Sequence, residues 1–187
     1  MGFDPRGFRT TSEDVVHAWA MFSLVRRSVE SADGETFERT FVHTPGAVAT
    51  VAITAEGGLL MVEQYRAALG GYVLEIPAGM RDVEGEDPMV TAARELREEA
   101  GWTAGRIELL GRCLSSPGVT DSEVIVYLAS DLQRVENQPH GPEERAMTLM
   151  TIDFDEAVSM VLDGTIEDAK SAYGILMADR LRMRGRG

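Results

Sequence analysis

The sequence predicts a protein of the α/β class, and three observations support this prediction. Segments of β texture fill the chain from Trp19 to Thr54, and further strand-like runs follow. A well-marked amphipathic helix lies near the middle, from Asp87 to Ala100. The length of 187 residues corresponds to one domain with room for a small extension, because domains average roughly 150 residues.

The predicted strands follow from local patterns of apolar and polar residues. Residues 1 to 13 are expected to form a flexible lead. Ala47 to Thr54 is a nearly continuous apolar run, which is typical of a strand buried on both faces. Asp33-Gly34 and Glu56-Gly57-Gly58 are turn signals between strands. Strands are predicted at 22–29, 36–43, 47–54, 59–66, 72–76, 109–110, 124–129 and 147–152.

The central helix has recognisable signals at both ends. Asp87 suits the N-cap, Pro88 the first helical position, and Gly101 the left-handed residue after the last turn. Two more helices are predicted at 154–162 and 168–182. Because the first quarter is rich in strands, we predict a lead and β-rich subdomain over 1–45 and the main domain over 46–187.

Charge and composition exclude several classes of protein. The chain has 18 basic and 31 acidic residues and a net charge of −13, which disfavours nucleic acids and anionic membrane surfaces as partners. No apolar run approaches the ~20 residues of a membrane span, and the N-terminus has no apolar signal core. Cys113 is the only cysteine, so no internal disulfide can form. We therefore expect a soluble, cytoplasmic protein.

The acidic side chains of the central helix lie in an unusual place. Glu95, Glu98 and Glu99 fall together on a face other than the apolar stripe, and two of them stand in the last turn. Negative charge is unfavourable there, because the C-terminal end of a helix already carries partial negative charge. One explanation is a solvated face on which Arg94 pairs with Glu98. The other is a site for a hard divalent cation, Mg²⁺ or Mn²⁺, which prefers oxygen ligands.

The residues around this helix form a spaced pattern. The pattern is Gly79, six residues, Glu86, seven residues and then Arg94-Glu95-Leu96-Arg97-Glu98-Glu99-Ala100-Gly101-Trp102. It resembles the Nudix box, which reads Gly, five residues, Glu, seven residues, Arg-Glu-apolar-any-Glu-Glu-any-Gly-apolar. The match is complete from Glu86 onward, and the one additional residue falls in the loop before it.

This resemblance implies a fold and a chemistry. The Nudix fold is an α/β/α sandwich with a mixed sheet, and most members hydrolyse a nucleoside diphosphate linked to another group with divalent cations. By position, Glu95, Glu99 and the carbonyl oxygen of Ala78 would be metal ligands. Glu98 would lie in the shell around the metals, and Arg94 would hold a box carboxylate in place.

The resemblance extends to one group of Nudix enzymes. Glu63-Gln64-Tyr65-Arg66 is similar to a strand of the ADP-ribose pyrophosphatases, and Pro117 follows Gly101 by 16 residues, as in that group. The likeness is greatest to actinobacterial-type members. It implies hydrolysis of ADP-ribose, a small-molecule substrate, to AMP and ribose 5-phosphate. It also implies a homodimer formed through the N-terminal β-rich subdomain.

The same resemblance assigns residues to the substrate. Arg66 would contact phosphate, Met80 would line the pocket, and a loop would cover the terminal ribose through Ser116, Pro117 and Gly118.

Four further residues receive roles in the same way. Glu123 would bind ribose hydroxyls, although the family glutamate can also align with Ser122. Arg39 would reach the site of the partner chain in a dimer. A later loop would supply a glutamate as metal ligand or general base, for which we favour Glu144 over Glu143.

Two other functions remain open at this stage. The first is hydrolysis of a different nucleoside diphosphate sugar, because substrate specificity depends on the side chains of the pocket. The second is a non-catalytic module that senses ADP-ribose or a nucleotide. The intact box carboxylates and the absence of a basic DNA-binding segment favour an enzyme over a sensor.

Overall fold

The computed structural model describes residues 7–136 and 145–184, which form two compact units. The first unit comprises the chain up to Gly46 together with Leu114–Ser122. The second comprises Ala47–Cys113 and the chain from Glu123 onward. The main domain predicted over 46–187 includes the segment Leu114–Ser122. The division predicted at residues 45 and 46 remains a prediction.

An antiparallel sheet forms the body of the first unit. Its strands are β1 (Arg9–Trp19), β2 (Phe22–Glu30) and β3 (Thr36–His43), in that order. The expectation of a flexible lead is therefore wrong from Arg9 onward. Most side chains of β1 are exposed, so the strand has no buried apolar face that the sequence could reveal. Backbone pairing with β2 and the ion pair between Arg27 and Glu13 (2.7 Å) hold it instead.

Leu114–Ser122 is joined to the end of β3. The Val42 N–H donates to the Val119 carbonyl at 2.9 Å, and the Asp121 N–H donates to the Val42 carbonyl at 3.3 Å. The Asp121 carboxylate lies 2.6 Å from Nδ1 of His43. These bonds fasten the segment that contains Pro117 and Gly118 to the first unit.

The second unit contains two sheets. One has the order β10–β5–β6 and the other the order β7–β4–β9–β8. Strand β4 runs parallel to β9 and antiparallel to β7, so the larger sheet is mixed. The strands are β4 (Ala47–Ala52), β5 (Gly58–Arg66), β6 (Gly71–Glu75), β7 (Ala78–Met80), β8 (Trp102–Leu114), β9 (Glu123–Arg134) and β10 (Thr148–Asp153).

Three helices occur in the described residues of this unit, namely α1 (Pro88–Ala100), α2 (Phe154–Leu162) and α3 (Ala169–Arg184). Helix α1 has the predicted ends: the Asp87 side chain accepts a hydrogen bond from the Met89 N–H at 2.8 Å, and Gly101 has φ of 68°. Within the described residues, no helix is long and apolar enough to span a bilayer.

The core of the second unit lies on both sides of β4. Val48 to Ala52 are buried, as the continuous apolar run predicts. Val48 packs with Ala92 of α1, and Val51 belongs to a separate cluster with Ile175 of α3. This packing fixes α1 and α3 against the sheet and positions the side chains described next.

Candidate active site

A cavity of about 300 Å³ lies in the second unit between the end of β5, β7 and the last turns of α1. Six of the residues predicted for the site line it: Arg66, Ala78, Met80, Glu95, Glu98 and Glu99. Gln64, Gly79, Asp82 and Arg94 complete the lining. The structure therefore brings the helix acids, the strand before the box and the predicted phosphate-binding arginine around one space.

The three helix glutamates are largely withdrawn from solvent. The side chains of Glu95 and Glu98 are 14% and 12% exposed, and Glu99 is buried. The Ala78 N–H donates to Oε2 of Glu99 at 3.0 Å, which ties the helix to β7. The acidic side of α1 thus forms part of a cavity wall, and the explanation as a solvated face is wrong.

Gly79 allows Glu95 to reach its place in the cavity. A Cβ atom at this position would lie only 2.0 Å from Cδ of Glu95 and 2.3 Å from its Oε2. No side chain larger than hydrogen fits there while the carboxylate keeps its position. The box glycine is therefore required by a close approach.

Arg94 connects the acidic side chains of the site. Its guanidinium contacts Glu95 at 2.8 Å and Glu98 at 3.2 Å, so the predicted pairing of Arg94 with Glu98 is confirmed. It also contacts Asp82 at 3.1 Å and Glu86 at 3.2 Å. Burial alone would lower the pKa of Arg94, but the hydrogen bond to Glu86 and the surrounding carboxylates raise it. Arg94 is thus a fixed positive charge that orients the glutamates.

The loop between Gly79 and Glu86 accommodates the additional residue of the box. It turns at Gly85, which has φ of 77°, and the Glu86 N–H donates to the Val83 carbonyl at 3.2 Å. Hydrogen bonds from Thr91 and Arg94 lower the pKa of Glu86, so this carboxylate is charged and holds the loop onto α1. The insertion is absorbed before Glu86 and leaves the helix part of the box intact.

The donor set of the cavity fits a divalent metal. Carboxylate oxygens and a backbone carbonyl are the ligands that Mg²⁺ and Mn²⁺ prefer, and Gly79 leaves the close approach to Glu95 unobstructed. Across residues 7–136 and 145–184, no group of three or more His, Cys, Asp or Glu side chains is placed so that it could hold a metal ion as it stands. Glu143 and Glu144, predicted as base or further ligand, lie outside the described residues.

The residue that holds Arg66 was not predicted from the sequence. Glu75 of β6 is buried and accepts two hydrogen bonds from Arg66, from Nε at 2.7 Å and from Nη2 at 2.6 Å. The bond to Glu75 raises the pKa of Arg66 against the opposing effect of burial. Lys170 of α3 also contacts Glu75. The sequence signal for this role was an acidic residue, Glu75, within an otherwise apolar predicted strand.

The remaining predicted substrate residues lie elsewhere. Arg39, Pro117 and Gly118 line a groove of about 570 Å³ within the first unit. The guanidinium of Arg39 lies over the Phe37 ring, 4.7 Å from its centre. The Ser116 carbonyl accepts hydrogen bonds from the N–H groups of the third and fourth residues after it, which closes the turn containing Pro117 and Gly118.

Glu123 does not belong to the lining of the 300 Å³ cavity. It is the first residue of β9 and accepts a hydrogen bond from Nη1 of Arg112 at 3.3 Å. Its predicted contact with ribose hydroxyls remains a prediction.

Comparison with known proteins identifies relatives over nearly the whole chain. The family model of the NUDIX domain matches residues 43–171. The chain is 40% identical over 169 residues to the ADP-ribose pyrophosphatase of Mycobacterium tuberculosis, covering 90% of this chain and 82% of that protein. It is 35% identical over 167 residues to the ADP-ribose pyrophosphatase of Bacillus subtilis, covering 89% and 90%. A solved ADP compounds hydrolase has the same fold, with a TM-score of 0.80 at 20% identity over 100% of this chain and 98% of that one.

Proposed function

The chain belongs to the Nudix family of hydrolases, and we propose that it is a divalent-metal-dependent pyrophosphatase that hydrolyses ADP-ribose to AMP and ribose 5-phosphate. The observation that carries the proposal is the cavity in which Glu95, Glu98 and Glu99 face the same space as Arg66. The names of the two bacterial relatives supply the substrate. The Nudix fold expected from the sequence is confirmed.

Glu95, Glu99 and the carbonyl oxygen of Ala78 would hold the metal, with Glu98 beside it and Glu144 as a further ligand or base. Bound Mg²⁺ or Mn²⁺ supplies charge neutralisation for the pyrophosphate and acidifies a bound water. The hydrogen bond from the Ala78 N–H to Glu99 and the ion pairs of Arg94 orient these oxygens before substrate arrives. This preorganisation lowers the cost of building the charged site during the reaction.

Arg66 is the proposed phosphate-binding residue. Glu75 accepts hydrogen bonds from its Nε and Nη2 atoms, and within the described part of the chain Nη1 has no partner. The planar guanidinium can therefore grip a carboxylate on one edge and offer further N–H groups to a phosphate oxygen. Met80 would pack against the substrate on the wall of the same cavity.

The carboxylate of Glu144 would accept a proton from the attacking water, and Glu143 is the alternative base. Glu123 would hydrogen-bond to ribose hydroxyls, and Ser116, Pro117 and Gly118 would cover the terminal ribose. Arg39 would contact the substrate of the partner in a homodimer. We also propose that the enzyme acts in the cytoplasm.

The direct test is AMP release from a panel of substrates with Mg²⁺ or Mn²⁺: ADP-ribose, ADP-glucose, GDP-mannose, NADH and a diadenosine polyphosphate. We expect the highest kcat/KM for ADP-ribose and complete loss of activity with EDTA. Preference for another member would retain the hydrolase and reject ADP-ribose as its substrate. Tight binding of ADP-ribose with no turnover of any compound would instead indicate a sensing module.

A further inference from the structure

We propose that Lys170 and Asp168, at the start of α3, are positioning residues that hold Arg66 toward the substrate phosphate through the buried carboxylate of Glu75. This inference rests on the proposed function, because it takes Arg66 as the phosphate-binding residue. It concerns residues that lie more than 60 positions after the end of the box.

Glu75 is the centre of this arrangement. Its side chain is only 3% exposed and contacts two cations, Arg66 and Lys170. Burial alone would raise the pKa of Glu75, but the hydrogen bonds and charges of these two cations lower it, so Glu75 is a buried carboxylate. A buried charge is costly unless it is fully paired, and here both of its oxygens are occupied.

Lys170 is the only lysine among the 18 basic residues of the chain. Its ammonium group contacts Oε2 of Glu75 and lies 3.0 Å from Oδ2 of Asp168. A compact ammonium with three donors can bridge two carboxylates in this way, and its side chain is 15% exposed. Lys170 therefore occupies a specific place between two acidic residues.

Asp168 and Ser171 make the support of Lys170 rigid. Oδ2 of Asp168 accepts hydrogen bonds from the N–H of Ser171 at 2.9 Å and from its hydroxyl at 2.5 Å. The Ser171 Oγ in turn accepts a hydrogen bond from the Ile76 N–H at 2.9 Å. Ile76 directly follows Glu75, so the first turn of α3 and the end of β6 are joined at two neighbouring positions.

Arg66 has space to leave its observed position. It lines the 300 Å³ cavity of the box and also a second cavity of about 460 Å³, whose wall includes Glu75 and Lys170. Without Lys170, Glu75 would be paired by Arg66 alone and would draw the guanidinium more strongly. The arginine would then be less available to a phosphate, and misplacement of a substrate-positioning group by about 1 Å is costly.

The test compares steady-state kinetics on ADP-ribose with Mg²⁺ for Lys170→Met, Lys170→Arg and Arg66→Met. We expect Lys170→Met to raise KM roughly tenfold and to change kcat less than about threefold, because the acidic residues of the box are untouched. Lys170→Arg keeps the charge and should restore most of the affinity. Arg66→Met should raise KM at least as much as Lys170→Met.

Arg182→Met is the matched control. Arg182 is another cation of α3, which pairs with Asp155 and lies over the Phe154 ring, 4.9 Å from its centre. Its removal weakens the docking of α3 without touching Glu75. If Lys170 only anchors the helix, both methionine variants will shift KM alike, and the proposal is wrong. We expect the KM of Arg182→Met to equal that of the unmodified chain.

A double variant separates positioning of Arg66 from other effects. In the Arg66→Met background, Lys170→Met should raise KM no further, because the residue it positions is gone. An additional tenfold rise would overturn the proposal. If Lys170→Met does not fold, Asp168→Asn tests the same arrangement, because it removes the charge that holds Lys170. We expect KM to rise about threefold in this variant, and an unchanged KM would contradict the proposal.

The outcomes also distinguish this proposal from the proposed function. Absence of ADP-ribose turnover by the unmodified chain would reject the proposed function. An unchanged KM in Arg66→Met would reject the phosphate-binding role of Arg66 and the positioning proposal with it. If KM rises in Arg66→Met but the KM of Lys170→Met equals that of the control, only the positioning role of Lys170 is rejected. The phosphate-binding role of Arg66 then stands.

Discussion

Replacing Gly79 with alanine tests whether Glu95 acts from the position it occupies in the structure. The added Cβ would lie 2.0 Å from Cδ, 2.3 Å from Oε2 and 2.5 Å from Cγ of Glu95. Carbon atoms in ordinary contact are about 3.5 Å apart, so the carboxylate must move by about 1.5 Å. The atoms in the way are the far end of a flexible side chain, which can move while the backbone stays in place.

The expected result is therefore an enzyme that folds but has lost most of its activity. A displacement of about 1 Å at a catalytic constellation can cost roughly 10²-fold in rate, and we expect at least this loss in kcat/KM. The melting temperature should fall by no more than about 4 °C, which corresponds to about 1 kcal/mol for a chain of this size. The loss should be partly recovered at high Mg²⁺ if displacement of Glu95 mainly weakens metal binding.

The assay is AMP release at increasing Mg²⁺ for Gly79→Ala and for the control Gly71→Ala. Gly71 is also a strand glycine, but a Cβ there would meet no atom within 4 Å, so the control should retain full activity. Full activity of Gly79→Ala at limiting Mg²⁺ would refute the reasoning, because Glu95 would then not be needed where the structure places it. Equal losses of activity in both variants would mean that any replacement of a strand glycine by alanine has this effect, whatever the position of Glu95.

Three further predictions concern individual carboxylates. Glu99→Gln should abolish metal-dependent turnover while the chain stays folded, since the amide oxygen can still accept the hydrogen bond from the Ala78 N–H; near-normal activity would contradict a metal-binding role. Glu144→Gln should reduce kcat by roughly 10²–10⁴ if this residue is the base, whereas a loss confined to Glu143→Gln would assign the base to Glu143. The pKa of Glu75 lies below its ordinary value of 4.5, because the effect of its two cationic partners outweighs that of burial. The charge of Glu75 therefore stabilises the fold fully above pH 4.5, and this contribution is lost as the pH falls through the lowered pKa. Urea unfolding from about pH 6 to 3 should therefore show a steeper fall in the free energy of unfolding for the unmodified chain than for Glu75→Gln, and parallel curves would argue against this reading.

The sequence predicted the central helix and its acidic residues because the signals are local. Asp87 and Gly101 mark the ends of α1, and apolar spacing identifies its buried stripe. The continuous apolar run of β4 likewise reports burial on both faces. These features depend on neighbours within a few positions, so one sequence is sufficient to recognise them.

Strand β1 was missed for a physical reason. Its side chains are mostly exposed, so periodic burial leaves no trace in the sequence. Its stability comes from backbone hydrogen bonds and ion pairs with β2, such as Arg9 with Glu30 at 2.5 Å. The register of the two strands decides which residues face each other, and turn signals in the sequence indicate this register only roughly.

By itself the sequence determined the family, the box helix and the acidic chemistry of the site, since all of these follow from residues at fixed short spacings. The tertiary structure decided that Glu95 requires the close approach at Gly79 and that Arg94 gathers four carboxylates. It also brought Lys170 to Glu75 across 95 positions of chain. Contacts between distant residues depend on how β6 and α3 pack in space, and packing is a property of the whole fold that no local pattern encodes.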